Sequence, residues 1–403
     1  MNPAAERPRI DEAIIRLLPK AEVHVHLEGA FELADLLELA RESQVPLPGP
    51  AATLFDLSTH HAADASESNA GEAAAPESAR EFTSVAGTDR RVSPAPGPEA
   101  LADTPTGTGV GSGGLSAFLR FLDWQCGLVR TADQAATVAY RFAARQSASG
   151  IRYTDVIINP THWSTWRGRT DELVAAFTSG FDAAERDGLC IVNMALSLLR
   201  TQTESEAVEL VTWIAETHPP RVVALSIDGD ERVSGRTGPR FAAAFTLAQA
   251  AGIRRTVHAG ESSGADGVWD ALHLLHAERI DHGVHAIDDP SLVDHLATTG
   301  ISLGICPRSN LTLGVYPDLA HHPLRDLQAR GVRITINTDD PGAIGTRLEN
   351  EWSLVADAFG WGLLELTELA QTSIDVSFAP DTLKAELTAE LAATVAALGS
   401  TRS

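Results

Sequence analysis

The sequence predicts an α/β chain folded as a (β/α)8 TIM barrel, and three observations lead to it. Eight short apolar runs alternate with longer stretches of helical periodicity, as successive βα units of a parallel sheet require. Polar residues gather where these runs end, which is where such a barrel keeps its chemistry. A length of 403 residues suits one barrel with insertions, so residues 1–403 are read as a single domain.

The first run, Ala21 to Leu27, ends in His24-Val-His26 and is followed by Glu28. TADQAATVAYRFAARQSASG has a hydroxyl or acidic start and a glycine end, as helices prefer, and leads into Ile151 to Ile158 and Asn159-Pro-Thr-His162. Ile191 to Leu198 is the third run; Val222 to Asp228 is the fourth and turns through Gly229-Asp230. After the helical TGPRFAAAFTLAQAAG, Ile253 to His258 opens into Ala-Gly-Glu261. Arg279 to His282, Ile301 to Cys306 and Val332 to Thr338 complete the set, the last continuing into Asp339-Asp340. From Glu349 to Leu398 the pattern is helical again, and these helices are expected on the outside of the barrel. Ser58 to Gly114 breaks the alternation. Its Ala, Gly, Ser, Pro and Thr bury too little apolar surface to offset ordering entropy, so it reads as a disordered insertion with a short ordered interruption near Arg80 to Val85.

Composition narrows the function. A net charge of −23 repels polyanions, which argues against nucleic acid and for a small-molecule partner. No apolar run approaches the roughly 18 residues that cross a bilayer. The N-terminal residues lack the apolar core of a secretory signal, and Cys126, Cys190 and Cys306 are odd in number and far apart. A reducing, cytoplasmic setting without a disulfide framework is expected.

Alternation along a strand puts His24 and His26 on one face, within reach of a single ion. A pair of histidines satisfied by loop carbonyls has the same spacing. His258 and Asp339, at the ends of the fifth and eighth runs, shift the balance: three imidazoles and a carboxylate suit zinc and leave room for water. Lys20 and Lys384 are the only lysines, and neither lies where a carboxylated lysine would bridge two metals in barrels of this kind. One zinc ion per chain is expected. Glu261 shares a strand-end loop with His258, where burial beside a pocket would raise its pKa and suit it to general acid work; the alternative is a helix cap. His282 would stabilise or deprotonate an attacking water, or pair with Asp281 in the core.

LPKAEVHVHLEGA, HAGES, RIDHG, CPRSN and NTDDP, in this order and at strand ends, resemble the successive motifs of adenosine deaminases and related aminopurine deaminases. The resemblance implies that His24, His26, His258 and Asp339 bind zinc, and that zinc-activated hydroxide attacks purine C6. It makes Glu261 the residue that protonates N1 and His282 the one that orients and polarises the water. Asp340 is implied as the hydrogen-bond partner of N7 and the Gly229 backbone as that of N3, with His26 and Glu28 also facing substrate. ALSIDGDE departs from the family's usual surroundings of that glycine, and Glu28 stands where adenosine deaminases carry an aspartate that contacts ribose. The implied reaction is adenosine to inosine plus ammonia, with adenine or an N6- or 5′-modified compound as alternatives. A zinc hydrolase of cyclic amides or phosphoesters and an inactive purine- or zinc-binding homologue are the competing readings. No Cys-x-x-Cys is present, as cytidine-type zinc deaminases would need.

Overall fold

The computed structural model describes residues 11–55 and 114–400. Its strands are β1 (Lys20–His26), β2 (Ile151–Ile158), β3 (Ile191–Leu199), β4 (Val222–Asp228), β5 (Arg254–Ala259), β6 (Arg279–His282), β7 (Ser302–Ile305) and β8 (Ile334–Ile336). They are hydrogen-bonded in chain order, every pair parallel. A bridge between Val25 and Asp339 joins the last strand to the first. There His26 N–H donates to the Asp339 carbonyl at 2.7 Å and Asp339 N–H to the His24 carbonyl at 3.3 Å. The eight runs expected from the sequence are the eight strands of the barrel. Lys20 joins β1 rather than preceding it, and the last two runs are strand only in their middles.

Local chemistry accounts for the helices between strands. Thr131 accepts from the Gln134 backbone while the Gln134 side chain reaches back, a capping box that starts the helix Ala132–Ala148. Thr203 and Glu206 do the same for Glu204–Thr217. The apolar faces of these helices and the alternate strand residues Val23, Val25 and Leu27 form one continuous core.

β1 is not a simple alternating strand. Glu22 pairs with Thr154 and Val25 with Val156, so three steps on β1 oppose two on β2. Such a bulge re-aims side chains next to active sites. Glu22 bonds Gln146 of the covering helix at 2.7 Å and Thr338, whereas His24 and His26 turn to the barrel mouth.

At the opposite end, Arg279 donates to Asp155 at 2.9 Å and lies over the Phe378 ring at 4.3 Å. Asp155 also accepts the Phe378 backbone N–H at 2.9 Å, which ties the C-terminal helices Leu348–Phe359, Leu363–Val376 and Asp381–Ser400 to the barrel, as the helical tail led us to expect. The segment read as an insertion lies outside the described residues, apart from Gly114, which opens the helix Gly114–Gly127. Among the described residues no helix is long and apolar enough to cross a membrane.

Candidate active site

His24 and His26 leave the end of β1, His258 lies one residue before the end of β5, and Asp339 follows β8 by three residues. The Nε2 atoms of His24 and His26 lie 3.1 and 3.0 Å from Nε2 of His258. Asp339 Oδ1 lies 3.3 Å from His24 Nε2 and 3.6 Å from His26 Nε2. All four ligand atoms fall within 4.8 Å of one another, and all four residues are buried. His24 and Asp339 are held from behind, as metal-binding groups are. His24 Nδ1 donates to the Gly304 carbonyl at 2.9 Å, leaving its Nε2 lone pair facing the cluster. Ser309 Oγ donates to Asp339 Oδ2 at 2.6 Å and leaves Oδ1 free for the centre. Converging lone pairs repel one another at these separations unless a cation sits among them, and the donor set fits zinc.

Asp339 and His282 both adopt the left-handed backbone region, with φ of +65° and +64°. Only a few per cent of non-glycine residues do so, Asp and His more readily than most. Here that conformation turns both side chains into the mouth.

Glu261 sits three residues beyond His258, its Oε1 3.7 Å from His282 Nε2. The loop that carries it is shaped by Glu231. The carboxylate of Glu231 accepts from the backbone N–H groups of Gly260, Glu261, Ser262 and Ser263 at 2.9 to 3.2 Å. Arg200 pairs with Glu231 at 3.5 Å and also donates to the His258 carbonyl. Burial, reinforced by the negative charge of Asp339, pushes the Glu261 carboxyl up to about 8. Glu261 is no helix cap, since the helix Ala265–His273 starts at Gly264 without a side-chain cap. The Asp340 side chain does not cap its following helix either.

Burial and the neighbouring carboxylates, Asp339 first among them, hold Asp340 well above the usual carboxylate range. Its Oδ1 has no protein partner. Asp340 packs on Gly29, where a Cβ would stand 1.9 Å from Oδ1. Glu28 is fully buried: Oε1 accepts the Asn159 backbone N–H and the Trp163 indole N–H, both at 2.7 Å, while Oε2 is unpartnered. Gly229, at φ +98°, takes a conformation that suits glycine.

His26, Glu28, Gly229, Glu261, His282 and Asp340 line one cavity of about 50 Å³, with Phe118, Leu119 and Leu122 of the helix Gly114–Gly127 also on its wall. Every candidate residue read from the sequence therefore meets at one mouth, His24 with them through its contacts to His258 and Asp339. His282 faces Asn310 Nδ2 at 3.4 Å; the pairing with Asp281 that would have made it an ordinary core histidine is not formed. Asp281 instead accepts from Thr256.

Sequence reasoning assigned no role to Ser309, Asn310, Glu231, His162 or Asp228. CPRSN, NPTH and DGDE were the available signals, but a role in holding another side chain has no spacing of its own. Asp228 accepts from Asn159 Nδ2 at 2.5 Å, and His162 and Asp228 both line the cavity.

A family model described as "Adenosine deaminase" matches residues 70–394. The match begins after β1, so His24 and His26 join the site through geometry. An adenine deaminase of Rhizobium meliloti (strain 1021) is 33% identical over 277 residues, 69% of this chain and 85% of that protein. An adenosine deaminase of Erwinia tasmaniensis is 29% identical over 381 residues, covering 93% and 98%. Among solved structures, an amidohydrolase from Burkholderia ambifaria with bound zinc superposes with a TM-score of 0.76 at 26% identity, covering 98% of this chain and 97% of that one.

Proposed function

The chain belongs to the adenosine deaminase family, and from that premise we propose that it hydrolyses the 6-amino group of an aminopurine, with free adenine as its first substrate. The observation that carries this reading is the convergence of three imidazole nitrogens and a carboxylate beside the buried, proton-retaining Glu261. His24, His26, His258 and Asp339 would hold one zinc ion, which when bound supplies the Lewis acidity that makes a water oxygen nucleophilic near pH 7. One ion suffices, because Lys20 is at the far end of β1, bonded to the Ile15 and Leu18 carbonyls, and Lys384 lies in the last helix.

The remaining work falls to this chain's side chains. Glu261 delivers its proton to N1, which makes C6 electrophilic as the water oxygen adds there. Ammonia leaves with the two amine hydrogens and one from water, the other water hydrogen restores the Glu261 carboxyl, and the oxygen stays as the 6-oxo group. Asp340, kept neutral, donates to N7; the Gly229 N–H donates to N3. Glu28 separates a base from a nucleoside. Its unpartnered Oε2 accepts the imidazole N–H that free adenine has and a nucleoside lacks.

The test is elemental analysis of protein purified without added metal, followed by ammonia release from adenine and adenosine and methylamine release from N6-methyl-AMP. One zinc per chain is expected, with adenine turned over fastest. Zinc-loaded protein that releases neither ammonia nor methylamine from any of the three overturns the reading.

A further inference from the structure

His282 is fully buried at the end of β6, its ring centroid 4.6 Å from that of His24 and 5.3 Å from that of His258. Which of its nitrogens carries the proton decides whether it gives or takes a hydrogen bond at the reacting centre. The answer lies two residues behind it. The Leu324 backbone N–H donates to His322 Nδ1 at 3.2 Å. A backbone N–H has no lone pair to offer, so His322 Nδ1 must accept, and the ring is neither the Nδ1–H tautomer nor the imidazolium. Burial works in the same direction and pushes this imidazole down to about 4.

His322 Nε2 therefore carries the proton and donates to Asn310 Oδ1 at 3.1 Å. The opposite amide orientation would set two donors against each other. With Oδ1 engaged, Asn310 Nδ2 faces His282 Nδ1 at 3.4 Å and donates to it. His282 Nδ1 accepts, which leaves the proton of the neutral ring on Nε2. That nitrogen faces two acceptors, Glu261 Oε1 at 3.7 Å and Asp339 Oδ2 at 3.9 Å.

We propose that His322 is a positioning residue that, through the Asn310 amide, fixes His282 as the Nε2–H tautomer and makes it a hydrogen-bond donor to the oxygen nucleophile rather than its base. The tautomer follows from hydrogen-bond directions alone; only the identity of the nucleophile rests on the deaminase reading. A neutral ring protonated at Nε2 has no lone pair there with which to take up a proton.

The test uses the full zinc-loaded chain labelled with 15N-histidine and two-bond 1H–15N spectra, with the His282 signals assigned by their loss in His282→Gln. His282 and His322 should both show a protonated Nε2 and a bare Nδ1. Asn310→Asp keeps the shape but offers only acceptors, so it should convert His282 to the Nδ1–H form. The loss of the donor should lower kcat about 100-fold or more while moving KM only a few-fold. His322→Phe should loosen the tautomer, and His322→Gln, whose amide can both accept from Leu324 and donate to Asn310, should restore it. A wild-type His282 bare at Nε2, or one that stays Nε2–H in Asn310→Asp, overturns the proposal. Because the spectrum needs no purine, failure to turn over any aminopurine overturns the deaminase reading without touching the tautomer.

Discussion

Glu261 combines two properties that seldom coincide: a carboxyl buried enough to keep its proton near neutrality and a backbone clamped by Glu231. Glu261→Gln keeps the shape and removes the proton. Positioned acid–base groups contribute roughly 100- to 10,000-fold, so turnover should fall by that order while zinc content and purine binding persist. Steady-state kinetics with metal analysis decides this; near-normal turnover with zinc bound would remove Glu261 from the mechanism. Gly29→Ala acts on binding instead. Its Cβ would stand 1.9 Å from Asp340 Oδ1 and 2.4 Å from Cγ, so Asp340 must leave the position from which it would donate to N7. We expect KM to rise at least tenfold with zinc retained, and an unchanged KM would place the N7 contact elsewhere. The convergence of His24, His26, His258 and Asp339 with Glu261 beside them was legible in the sequence, because their chemistry is written in residue type and position after a strand. Asn310, His322 and Glu231 were not. Their roles lie in the direction of a hydrogen bond to a partner 12 to 32 residues away, and no periodicity records that.

At the scale of the element, β1 shows where pattern reading stops. Its apolar period predicted the strand and the shared face of His24 and His26, but the bulge that parts Glu22 from them appears only once Thr154 and Val156 are paired with it. The short runs behaved similarly: β7 and β8 keep four and three strand residues, since the ends of their apolar runs pack into loops. At the start of β1, Lys20 is fully buried and donates to the Ile15 and Leu18 carbonyls at 2.9 and 3.1 Å, at the end of the helix Glu12–Leu17. Burial lowers its pKa from 10.5 to about 7. Between those values the unfolded chain holds a proton that the folded chain lacks, so this group makes stability rise with pH, and below about 7 its penalty is constant. Lys20→Met should remove that contribution. Urea midpoints at pH 7 and pH 9.5 should then rise less for the variant than for the natural chain, with turnover unchanged, since Lys20 is remote from the mouth. Parallel pH profiles would show that the amine is not held neutral.

For the whole molecule, the barrel was legible because eight runs with polar ends admit few other closed parallel sheets, whereas the long Ala, Gly, Ser and Pro-rich stretch carries no period to read. The described residues on either side of that stretch still constrain it. Phe55 and Phe121 approach with ring centroids 5.8 Å apart, and Gly114 lies up the same helix from Phe121 by about 10 Å at 1.5 Å per residue. Phe55, the last described residue before the stretch, is therefore close enough to Gly114 for a short glycine-serine linker to close the gap. Replacing residues 58–113 by a linker of about six residues shortens the loop roughly tenfold, which lowers its closure entropy cost by about 2 kcal/mol. We expect the shortened chain to fold with an equal or slightly higher Tm, to bind zinc, and to turn over purine at a rate near that of the full chain. Phe118, Leu119 and Leu122 make the result informative, because they lie just beyond the junction and line the cavity of the candidate site. A linker that left the barrel intact but displaced this helix would raise KM and leave zinc content and Tm unchanged. A deletion that keeps zinc and Tm yet abolishes turnover would show instead that residues 58–113 take part in catalysis, contrary to what their composition implies.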